Sequence, residues 1–255
     1  MKIPDGLFGD GLSDIKASIA FLTRLPLPRG APVAGVDVAR AAWAFPLAGA
    51  LIGLIGGVVY ALAHKLGLPP WPAAGLGVAA TMLATGCLHE DGLADTVDGF
   101  GGGATRERKL EIMGDSRIGA YGVCALILSI LLRVAALAAL AQSSLVVPAL
   151  IAAHGAARAA LPVFMAMVPP TRSDGSSFAA GHPAQERLIV AIVLGVLILL
   201  LCLGPALGIA ALIAVLIVIA AMTWLTFSQI GGQTGDVLGA LEQASEIVIL
   251  LAALV

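Results

Sequence analysis

Charge is scarce in this chain: Lys, Arg, Asp and Glu make up 12% of 255 residues, against 59% hydrophobic residues and a mean hydropathy of +1.01. So few charges cannot coat a soluble domain, and the composition fits a polytopic membrane protein. A basic excess is also missing, with 14 Lys and Arg against 16 Asp and Glu and a net charge of -2. Aromatics are only 5% and never interleave with a basic stripe, which excludes a nucleic-acid partner. Cys87, Cys124 and Cys202 stand singly in apolar stretches without C-x-x-C spacing, so they read as small buried hydrophobes, not disulfide or zinc residues. Residues 1–40 lack the apolar core and cleavage site of a secretory signal.

What is abundant is long apolar sequence. Seven runs are each near the ~20 residues that cross a hydrocarbon core: 41–63, 71–88, 119–140, 145–168, 188–203, 206–227 and 237–255. The fold class expected is therefore all-α: a single integral membrane domain, 1–255, with about seven transmembrane helices. Leu12, Ile15, Ile19, Leu22 and Leu25 recur at helical spacing, predicting an N-terminal amphipathic helix at the membrane interface within the segment 1–40. Gly204-Pro205 reads as a tight turn between two spans. With the N-terminus cytoplasmic, 11 of the 14 basic residues fall on the inner face, as short cytoplasmic loops require. The polar loops 89–118, 171–187 and 228–236 then all emerge on that face of the cytoplasmic (inner) membrane.

The first of these loops holds seven of the 16 acids between Glu90 and Asp115. If the second span continues as a helix past Cys87, Asp91, Asp95 and Asp98 share one of its faces at i, i+4 and i+7. Carboxylates so placed repel one another unless a cation neutralises them. Hard oxygen donors, with Glu90 adjacent and no Cys or paired His, favour Mg²⁺ or Mn²⁺ over zinc. Gly99 and Gly101-Gly102-Gly103 follow, offering close backbone approach to a phosphate, and Arg106, Arg108, Lys109 and Arg117 offer cations to anionic oxygens. The combination suits transfer at a phosphate or pyrophosphate. Arg172 lies in the second loop, and Thr234, Gly235 and Asp236 lie in the third. Glu242 and Glu246, one helical turn apart, are unlikely lipid-facing residues, and His154 with Arg158 forms a second such pair. That pair is either a buried polar contact or an anion-facing arginine. Arg133 has no obvious partner, and His89 is either a general base or a hydrogen-bonding residue at a helix end.

Four motifs carry a family resemblance: Phe21-Leu22-Thr23-Arg24-Leu25-Pro26, Glu90-Asp91-Gly92-Leu93-Ala94-Asp95 with Asp98-Gly99, Gly114-Asp115-Ser116-Arg117-Ile118-Gly119, and Gly232-Gln233-Thr234-Gly235-Asp236. Together they resemble the cobalamin 5'-phosphate synthase (adenosylcobinamide-GDP ribazoletransferase) family from about residue 12 to 246. The resemblance implies a membrane transferase with Mg²⁺ as cofactor. A hydroxyl of α-ribazole, or of its 5'-phosphate, attacks the cobinamide-side phosphorus of adenosylcobinamide-GDP and releases GMP. It implies Glu90, Asp91, Asp95 and Asp98 as metal ligands, and Asp91, Asp95 and Asp115 as catalytic residues. Arg24, Arg117, Arg158, Arg172, Thr234, Gly235, Asp236, Glu242 and Glu246 are the expected substrate or phosphate contacts. Gly114 departs from the larger, often basic residue expected there. Expected partners are the two substrates and the lipid bilayer, with a homo-oligomer or an assembly with other corrinoid enzymes also open.

Two alternatives remain at this level. A CDP-alcohol phosphotransferase shares Asp91-Gly92-Leu93-Ala94 but has Arg where this chain has Asp95, and its later acids are spaced differently. An ion or metal transporter would place its carboxylates near mid-membrane on broken helices.

Overall fold

The computed structural model describes residues 11–26, 38–171 and 176–255. Arg172, expected to contact phosphate, lies outside them. Among the described residues the regular structure is helical, apart from one isolated bridge between Pro170 and Gln233. In order the helices are α1 (Gly11–Leu22), α2 (Val38–Ala41), α3 (Phe45–Lys65), α4 (Pro70–Thr85), α5 (Leu88–Gly102) and α6 (Arg106–Met113). They continue with α7 (Ala120–Leu140), α8 (Ser143–Met167), α9 (Ser176–Ala180), α10 (Gln185–Ile230) and α11 (Gly235–Ala252).

Four stretches are long and apolar enough to cross a membrane: Val38–Lys65, Ala120–Leu140, Ser143–Met167 and Gln185–Ile230. A fifth is added if α4 and α5, bent by 90°, form one span. The condition that the second span continue as one helix past Cys87 is not met: α4 ends at Thr85 and a separate helix, α5, starts at Leu88. Gly86 (φ 65) and Cys87 (φ 58) both adopt left-handed backbone and turn the chain sharply into α5. Cys87 and Cys124 are exposed, not buried, and all three cysteines are free.

At 46 residues α10 would measure about 69 Å if straight, over twice the thickness of a hydrocarbon core. It folds back instead. Gly204 (φ 78, ψ 168) and Pro205 interrupt it, and a Cβ placed on Gly208 would lie 3.0 Å from the Leu199 carbonyl oxygen. A continuous helix would hold residues 199 and 208 about 13 Å apart. The turn expected at Gly204-Pro205 is therefore present, and α10 is a helical hairpin.

Helix α8 is the most enclosed of the long helices, and α3 and α10 flank it. Small residues make this possible: Ala152, Ala153, Ala156, Ala157 and Ala160 let neighbouring backbones approach. Gly49, Gly53 and Gly57 recur every four residues on α3 and face α8; a Cβ on Gly53 would stand 2.2 Å from the Leu150 carbonyl oxygen. Backbone cannot yield there as a side chain could. Gly53→Ala is expected to lower stability by about 1–3 kcal/mol, seen as a reduced thermal midpoint of the purified protein in detergent. Gly75→Ala, which meets nothing within 4 Å, should leave the midpoint unchanged.

Helix α1 is anchored through Asp14, which is buried. Its carboxylate takes hydrogen bonds from the Trp43 indole at 3.0 Å and from Arg187 at 2.6 Å, and it pairs with Arg40 at 3.1 Å. Of the apolar stripe foreseen on α1, Leu22 is buried while Leu12 is exposed. The Phe21 ring stacks on Phe45 of α3 at 5.9 Å.

Candidate active site

Helix α5 carries the acids, and α11 crosses it through two glycines. A Cβ on Gly92 would meet the Asp236 carbonyl oxygen at 2.8 Å and the Gly239 Cα at 3.2 Å. Only glycines at both positions let the backbones touch, and this contact brings Asp236 to the acids of α5. Asp95 consequently feels the charges of Asp91, Asp236 and Asp98 together. Among the described residues no ion pair reaches Asp91 or Asp95. Thr234 caps α11, its hydroxyl accepting from the Val237 N–H at 3.3 Å and donating to Asp236 at 3.2 Å.

The four acids of the first motif do not act alike. Asp91 is exposed and Asp95 half-buried, whereas Asp98 is buried and accepts hydrogen bonds from the Gly119 N–H at 2.7 Å and the Gly122 N–H at 2.9 Å. It thereby caps the positive end of α7. Glu90 points toward α7, where Arg133 donates to it at 3.0 Å. The glycines after Asp98 also differ from the open phosphate loop expected. Gly99 and Gly101 lie in α5, and a Cβ on either would strike Met113 or the Tyr121 ring. They are packing positions.

Beneath the acids lies a buried ionic network. Arg158 of α8 contacts Glu242 at 2.5 Å, His154 at 3.1 Å and His89 at 3.3 Å. Arg133 of α7 joins Glu90 to Glu246, the latter at 3.4 Å, and Glu246 lies 3.3 Å from His154. Arg133, Arg158, Glu242 and Glu246 are all at most 1% exposed. The structure therefore places Glu242 against Arg158, and Glu246 against Arg133 and His154, inside the protein and not on an open face, and it gives Arg133 its partners. His154, Glu242 and Glu246 have ligand atoms within 4.8 Å of one another, but the two guanidiniums already neutralise that group.

The remaining loops are fastened to the site from the side. Arg106 of α6 donates to the Thr171 hydroxyl at 2.9 Å, Thr171 donates to the Ile230 carbonyl at 2.8 Å, and Lys109 bonds Gln229. These two cations thus join loops together. Asp115 and Arg117 form a two-point pair at the surface, with Nη2 to Oδ2 at 2.6 Å and Nε to Oδ1 at 3.1 Å. The Arg117 hydrogen bonds hold the Asp115 carboxyl down at about 2. Arg24 is exposed; its side chain lies over Gly86, and its N–H donates to Ala84 at 2.7 Å, docking the Phe21–Pro26 motif on the end of α4.

Comparison with known proteins agrees with these motifs. The family model described as cobalamin-5-phosphate synthase matches residues 14–254. A protein of Bradyrhizobium diazoefficiens named adenosylcobinamide-GDP ribazoletransferase is 54% identical over 242 residues, covering 95% of this chain and 93% of its own. Proteins of the same name from Mesorhizobium japonicum (52% identical; 95% and 93% covered) and Azorhizobium caulinodans (47%; 96% of each) are also similar. No solved structure matches. With its acids gathered where α5 crosses α11 and with this match along nearly its whole length, the chain belongs to the cobalamin-5-phosphate synthase family.

Proposed function

We propose that this chain joins adenosylcobinamide-GDP to α-ribazole, or to α-ribazole 5'-phosphate, releasing GMP in the late assembly of cobalamin. The observation that carries this is the gathering of Asp91, Asp95 and Asp236 with no ion pair to Asp91 or Asp95 among the described residues. Such hard oxygen donors fit Mg²⁺, with Mn²⁺ as a substitute. When bound, the metal supplies shielding of charge on the transferred phosphoryl group and on the departing GMP. The acceptor's O–H attacks phosphorus, the phosphorus–oxygen bond to GMP breaks, and the proton leaves to solvent. Asp91, Asp95 and Asp236 hold the charged centre. Asp98 fixes α7 against α5, and Glu90 with Arg133 fixes the start of α5 from below.

In the bilayer we place seven spans: α3, α4, α7, α8, the two arms of α10, and α11, with α5 lying across the inner face. The N-terminus and the active-site loops are then cytoplasmic, in the inner membrane, and α1 rests at the interface. The family match favours this transferase over the phospholipid and transport readings. Purified protein in detergent or lipid, given both substrates and Mg²⁺, should release GMP; folded protein that releases none would contradict the proposal. Chelation of divalent ions should stop release and Mg²⁺ should restore it, read by GMP chromatography. Release that persists after chelation would remove the metal from the scheme.

A further inference from the structure

Two cavities meet at Asp91. The first, of about 190 Å³, lies where α1, α3, α8 and α11 surround the start of α5; Phe21, Phe45, Leu161 and Met165 form its apolar wall, and Asp236 lies at its polar end. The second, of about 470 Å³, opens toward α4, α6 and α7 and includes Glu90, Asp95, Asp115 and Ser116. Among the described residues Asp91 is the one that lines both.

The two spaces differ in chemistry as two different substrates would require. The smaller is walled by the stacked Phe21–Phe45 pair together with Leu161 and Met165, an apolar side of mixed aromatic and aliphatic character. A ligand seated there needs an apolar end, which an aromatic ring satisfies, and a polar end directed at Asp91 and Asp236. An acyl chain has no polar group to answer those carboxylates. A nucleoside does: its base faces the wall and its ribose hydroxyls face the acids. The larger cavity, where Asp95, without an ion pair among the described residues, joins Asp91, suits a bulky diphosphate that arrives with a cation.

We infer that the smaller cavity seats the aromatic base of the acceptor nucleoside, that the larger seats the diphosphate-bearing donor, and that Asp91 stands at the seam where the hydroxyl of one reaches the phosphorus of the other. This rests on the transferase reading above and assigns its two substrates to separate sides of α5. Phe21, Phe45, Leu161 and Met165 then set which bases are accepted.

The test is equilibrium binding to the full chain in detergent with Mg²⁺, one substrate at a time, so that no turnover is needed. Met165→Trp and Leu161→Phe narrow the smaller cavity and should weaken α-ribazole binding by about 10-fold or more, leaving adenosylcobinamide-GDP binding within about 2-fold. Should either bulky variant fail to fold by size exclusion, Met165→Ala enlarges the same space and should shift preference toward nucleosides with larger bases by about 10-fold. Weakened donor binding with unchanged α-ribazole binding, no change in base preference, or no α-ribazole binding by the wild type would each overturn the assignment. Wild-type binding of both substrates without GMP release would instead refute the transferase reading while leaving the binding assignment standing.

Discussion

Asp95→Ala is expected to cut GMP release by about 10³-fold or more, equivalent to roughly 4 kcal/mol of lost transition-state stabilisation. The magnitude follows from the electrostatics of the cluster. Asp95 is half-buried and feels Asp91, Asp236 and Asp98, so it contributes heavily to the field that attracts a divalent ion. Among the described residues no basic residue neutralises it, because the cations nearby have other partners: Arg117 holds Asp115, Arg133 holds Glu90, and Arg106 holds Thr171. Stability should change little, since removing one of several mutually repelling carboxylates relieves their repulsion. The measurement is initial rate together with size-exclusion behaviour in detergent. Near-normal turnover in a folded Asp95→Ala protein would take Asp95 out of the metal set.

Arg158→Leu is the change expected to harm the fold most. It leaves Glu242 buried without its guanidinium, and breaking a buried pair in this way costs about 3–5 kcal/mol. The thermal midpoint in detergent should fall sharply, and activity with it, because His89 beside Arg158 lies two residues before Asp91. The double change Arg158→Leu with Glu242→Leu should recover much of the loss, since an apolar replacement of both partners removes the unpaired charge. A double variant no more stable than Arg158→Leu would show that packing around the guanidinium, and not its charge, holds α8 to α11.

Much of the architecture is legible in the sequence because lipid imposes a simple rule on it. Apolar runs of membrane length announce α3, α7 and α8, and Gly204-Pro205 announces the turn in α10. The break between α4 and α5 is less visible. Gly86 signals it, but Cys87 in a left-handed conformation has no sequence signature. The site divides in the same way. Helical spacing places Asp91, Asp95 and Asp98 on α5, yet spacing cannot tell that Asp98 turns to the N–H groups of Gly119 and Gly122. Asp236 is separated from Asp91 by 144 positions, and only the Gly92–Gly239 contact joins them. A glycine on each helix is the available signal, but with 31 glycines in the chain no pair is distinguished by composition. The partners of Arg133 were hidden for a similar reason. Glu90 and Glu246 are distant in sequence, and they meet Arg133 only because α5 and α11 both pack against α7.

Mn²⁺ titration followed by electron paramagnetic resonance reads out whether Asp91, Asp95 and Asp236 together hold a divalent cation. Wild-type protein should bind Mn²⁺ in a form displaced by Mg²⁺, as should the control Glu111→Gln at the exposed Arg108 pair. Asp95→Asn and Asp236→Asn should each weaken that binding by at least about 10-fold. Mn²⁺ binding that is unchanged in both variants would mean that these carboxylates do not hold the cation.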